Sequence, residues 1–202
     1  SAKLNSLVFT SFGQMYSILM RPGQRSATGM KVRLVDVNVT ATGVHMLDNS
    51  GILSFECISP QCGQHMAISI EHSHFLVEQC VVNDFSVLFF FSWYHAGGGY
   101  NSSIAVDATS SIRVEGVSMS GLSTIVTVAF NLRNPNSEVV DVGYSQITME
   151  GAFSFAGVHA KGNASLFNFF QPGSHSSVRV APSLFVLSSC VLQSVFIVYQ
   201  QH

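Results

Sequence analysis

The sequence predicts an all-β solenoid, a single-stranded parallel β-helix of about 36 residues and three short strands per coil, in roughly five coils. Three observations predict it. The stretches Val32-Arg-Leu34, Ile68-Ser-Ile70, Ile104-Ala-Val106, Val140-Asp-Val142 and Val178-Arg-Val180 open similar blocks, their first residues 36, 36, 36 and 38 positions apart. A fixed period in this range marks units that cannot bury an apolar face alone and stack on their neighbours. Within each block apolar residues alternate with period two, the pleat of a strand and not the turn of a helix. Breakers then close the block: Ser59-Pro60, Gly97-Gly98-Gly99, Asn134-Pro135-Asn136 and Gln171-Pro172-Gly173.

Each element follows in order. The first strand is the apolar pair that opens the block. A hydroxyl comes next, at Ser73, Thr109, Ser145 and Ser183, in place to satisfy backbone groups at a bend. The second strand carries Phe75/Val77, Ile112/Val114, Ile147/Met149 and Phe185/Leu187, and a small or apolar residue returns at Thr42, Cys80, Val117, Ala152 and Cys190. The third strand covers Ile52–Phe55, Val87–Phe91, Ile125–Phe130, Leu166–Phe170 and Phe196–Tyr199. Equivalent strands would pair in register about 4.8 Å apart, so that inward positions form columns. Leucine-rich repeats have a shorter period and a Leu/Asn pattern absent here, and a β-sandwich would not predict equal spacing.

Residues 1–202 are read as one domain, with 1–29 part of a preceding coil or cap and 30–202 repeated coils of a longer solenoid. The match of Tyr16–Met20 to Phe169-Phe170, each followed by a Pro-Gly turn, carries the first assignment. Only 10% of residues are charged, 47% are apolar and the net charge is -2, which leaves no basic footprint for nucleic acid. No apolar run is long enough to span a bilayer as a helix. Asn38, Asn101 and Asn163 open sequons and should stand outward or in turns, which favours an extracellular or cell-surface location. Cys57 and Cys62 flank Pro60 and are placed to close a small disulfide loop. Cys80 and Cys190 share a column three steps apart, about 14 Å at the strand spacing, and should be free thiols.

The candidate chemistry is acidic. Glu78, Glu115 and Glu150 each follow a predicted second strand, so three carboxylates would stack on successive coils. Stacked like charges repel unless a cation joins them, so the functional reading of this line is a carbohydrate- or calcium-binding edge; no cofactor is expected, Ca2+ being the one ion the line could take. A solvated corner is the blander reading and the better supported one. Glu71 and Asp107 form a smaller pair after the first strand. Arg33 and Arg179 on the first strand and Arg113 on the second face outward without converging on the acids, so no catalytic set is named. His72-Ser73-His74 puts two imidazoles on one face, and zinc would need further ligands such as His45 or His65. In the run Phe89, Phe90, Phe91, Trp93 and Tyr94, alternate members belong to the core and the others should form an exposed apolar patch.

This coil pattern resembles the pectin-lyase-like right-handed parallel β-helices, which include polysaccharide-degrading enzymes, tailspikes and adhesins. The resemblance and the general rule for parallel crossovers imply right-handed winding. The Val/Ser/Gly-rich texture across residues 30–199 also resembles surface proteins of the trypanosomatid dispersed gene family, which implies a membrane-anchored surface protein. The expected function is non-catalytic: adhesion, recognition or scaffolding. Its partners would be a host or matrix protein or a glycan, with flanking coils or end-to-end neighbours covering the ends. The alternative is a carbohydrate-active enzyme, a lyase or glycoside hydrolase, using Glu78, Glu115 and Glu150.

Overall fold

A computed structural model describes residues 2–5, 8–9, 14–20, 29–57, 64–93, 100–130, 144–170, 175–193 and 196–201. Among these the chain is all-β, with no helix. The strands pair in parallel and build four stacked sheets, an arrangement that fits a β-helix. The first sheet comprises Lys31–Val35, Ala67–Glu71, Ser103–Val106, Gln146–Met149 and Ser177–Val180. Asn38–Thr42, His74–Glu78, Ser111–Glu115, Ala152–Ala156 and Leu184–Ser188 belong to the second. The third is narrow, made of short strands such as Val81–Val82 and His159–Lys161. Long strands form the fourth: Gly51–Cys57, Val87–Trp93, Thr124–Phe130, Ser165–Phe170 and Phe196–Gln201. Ala2–Asn5, Val8–Phe9 and Gln14–Met20 add one further strand to the second, third and fourth sheets, with Tyr16 opposite Leu53.

The chain therefore visits four sheets per round, where the sequence predicted three strands. The extra strand is only two or three residues long, too short to show an alternation of its own. Register corrects a second expectation. Ile68 pairs with Ile104 as anticipated, but Ile104 pairs with Ile147, and Ile147 with Val178. Val140 lies outside the described residues, and its assigned place belongs to Ile147. The steps are thus 36 from Ile68 to Ile104, 43 from there to Ile147 and 31 to Val178. Ile147/Met149, read as a second strand, belongs to the first sheet, and Phe153/Phe155 stands opposite Ile112/Val114.

The reason lies in the corners. From the second sheet to the third the chain takes two residues in every round, at 43–44, 79–80, 116–117, 157–158 and 189–190. The first of each pair is left-handed: Gly43, Gln79, Gly116, Gly157 and Ser189 have φ between 52° and 65°. The amides of Gly43, Gln79, Gly116 and Gly157 donate to the next round, as Gly116 N does to Ala156 O at 2.8 Å. Between a strand of the fourth sheet and the next strand of the first, the number of residues varies instead: 94–102 in one round, 131–145 in the next and 171–176 in the one after. A long connection costs little, so length drifts here while the sheets keep their registers.

Columns fill the interior. Ile68, Ile104 and Ile147 stack from the first sheet, and Phe75, Ile112 and Phe153 from the second, all buried. Phe89, Val126 and Phe167 rise from the fourth sheet to meet them, with Phe75 edge-on to Phe89 and Phe153 to Phe167 at ring separations of 4.9 and 5.1 Å. Buried serines line three corners. Ser73 Oγ donates to Glu71 O at 2.8 Å and accepts from Val37 N at 3.1 Å, satisfying groups that the bend takes out of the ladder. The hydroxyl stacked on Ser73 is Ser110, not the expected Thr109, and Ser145 sits at a different corner, beside Ser102. Val158, not Ala152, continues the column of Cys80 and Val117.

Candidate functional site

The predicted acids fall into two columns, and neither is the predicted one. Glu78 pairs with Glu115 across the second sheet, but the next residue in that column is Ala156. Glu150 leaves this line because it follows Met149 of the first sheet, beside Asp107 and Glu71. The pair therefore becomes the triplet Glu71–Asp107–Glu150, and the predicted triplet shrinks to two.

Arginines meet these acids, contrary to the expectation that they would not converge. Arg33 binds Glu71 through both Nε (3.1 Å to Oε1) and Nη2, and Ser69 Oγ donates to Oε1 at 2.7 Å. Arg33 and then Ser69 hold the Glu71 carboxyl at about 2, well below its ordinary 4.5. Arg179 lies 3.7 Å from Glu150, and Arg113 is paired with Glu115, two residues along the same strand and on the same face.

Asp107 between them is bound by its own turn. Its Oδ1 accepts from Ser110 N at 2.8 Å and Ser110 Oγ at 2.6 Å, and its Oδ2 from Thr109 Oγ1 at 2.7 Å. Burial pushes this carboxyl up, but the hydrogen bonds from Ser110 and Thr109 outweigh it and the net shift is downward. On the second sheet Thr42 Oγ1 donates to Glu78 at 3.3 Å. Carboxylates so tied are poised as acceptors. A general acid needs the opposite shift, produced by burial without partners.

The remaining candidates divide. His72 and His74 are exposed on either side of buried Ser73, and His74 Nδ1 lies 2.8 Å from Ser111 Oγ. Among the described residues no group of three or more His, Cys, Asp or Glu is placed to hold a metal. Asn38, Asn101 and Asn163 are all exposed, although Asn101 Nδ2 lies 2.9 Å from His65 Nδ1. Cys57 is disulfide-bonded, and its expected partner Cys62 lies outside the described residues. Cys80 and Cys190 are free thiols, as the column spacing required. The aromatic run does not make the expected exposed patch. Phe89, Phe91 and Trp93 are buried, Ser92 on the other face is buried too, Phe90 is half-buried, and Tyr94 lies outside the described residues.

One feature escaped the sequence reading. At the entrance to the first sheet His65, Tyr100, Tyr144 and His175 form a ladder of rings. Centroids are 5.9 Å apart from His65 to Tyr100 and from Tyr100 to Tyr144, and 5.1 Å from Tyr144 to His175, where the planes lie 9° from parallel. Gly29, His65, Asn101, Tyr144 and His175 occupy one turn position and are all left-handed, with φ from 51° to 73°. Tyr144 is 49% exposed. A tyrosine held in this conformation costs about 1–2 kcal/mol that glycine would not. The available signal was an aromatic or imidazole ring ahead of the strands at Ala67, Ser103, Gln146 and Ser177, hidden once Val140 was taken for the strand start.

Compared with protein-family models, curated proteins and solved structures, the chain matches none.

Proposed function

We propose that this chain is a non-catalytic, right-handed parallel β-helix of an extracellular or cell-surface protein, whose outer faces serve recognition or adhesion. Handedness follows from the rule for parallel crossovers. The observation that carries the reading is the state of the acids. Glu71, Glu115 and Glu150 are each paired with an arginine, Asp107 is saturated by its turn, and both carboxyls that shift go downward. A hydrolase would want two carboxylates facing each other across a cleft, one of them shifted up. Here Glu71, Asp107 and Glu150 run in file beside the first sheet and Glu115 stands on the second, each held by its own partners. Exposed sequons at Asn38, Asn101 and Asn163 support a secretory route.

The test combines two measurements. The purified chain is incubated with a panel of polysaccharides while reducing ends and unsaturated products are followed, with and without Ca2+. No product, and a melting temperature indifferent to Ca2+, is the expected result; product formation abolished by Glu115→Gln would overturn the reading. In the source cells, digestion with a peptide N-glycosidase should increase electrophoretic mobility, and protease applied to intact cells should remove the protein.

A further inference from the structure

We draw no further inference here: the strongest candidate, the exposed apolar patch of Leu184, Phe185, Leu187 and Val191 on the last described strands of the second and third sheets, carries nothing because nothing in the structure shows what covers it.

Discussion

Arg33 and Glu71 join neighbouring rounds through side chains alone, and their chemistry is testable by pH. Because the folded carboxyl sits at about 2 against an ordinary 4.5, its contribution is complete above about pH 4.5 and fades as the pH falls towards 2. Glu71→Gln should flatten the decline in melting temperature across that window, measured by circular dichroism. The effect at neutral pH should be small, since the pair is open to solvent. The two free thiols give a second prediction. Burial raises the Cys80 thiol, whereas Cys190 is partly exposed. Native alkylation by iodoacetamide, read by mass spectrometry, should label Cys190 well ahead of Cys80. Their separation was legible in the sequence because the step count between columns survives an error of detail: two residues intervene whether the second is Ala152 or Val158. Glu150 was not legible in the same way. Its partner depends on which strand it follows, so a slip of one element moved it from Glu115 to Asp107.

At the scale of single elements the glycines at the corners and strand starts carry unequal burdens. Gly51 opens a strand of the fourth sheet, and a β-carbon there would stand 2.2 Å from Val87 O, a backbone atom that cannot move without breaking the ladder. Gly29, left-handed at φ 73°, faces open space. Gly51→Ala should therefore cost about 3 kcal/mol or more by overpacking, and Gly29→Ala only the left-handed penalty of about 1–2 kcal/mol, both measured by urea denaturation. The strands themselves were mostly readable. Val87–Trp93 and Thr124–Phe130 announce themselves through continuous apolar and β-branched runs. Val81–Val82 could not, being two residues long. Val140-Asp-Val142 misled because it imitates an opening pair and preserves the spacing of 36, while the true strand at Gln146–Met149 lies beyond a longer connection.

For the whole molecule, stability is a sum over neighbouring rounds, so the same residue type should matter according to its place in the column. Phe153 is fully buried between Ile112 and Phe185, whereas Phe185 is 37% exposed. Phe153→Ala should cost about 3–5 kcal/mol. Phe185→Ala should cost less than half as much, and the ratio of the two unfolding free-energy changes checks the stacking directly. The parallel stacked architecture was legible from periodicity because every inward column repeats a kind of residue. The ring ladder was not, since it depends on three-dimensional neighbours across turns whose lengths differ.

Those unequal turns have a practical meaning. A two-residue bend held by a left-handed glycine, glutamine or serine leaves no slack, so an added residue there would rotate every side chain downstream to the wrong face. The opposite corner already accommodates connections as different as 131–145 and 171–176 between strands that still meet in register. Foreign peptides grafted at that one vertex should be displayed without unwinding the scaffold, and natural variation in chain length should gather along the same seam.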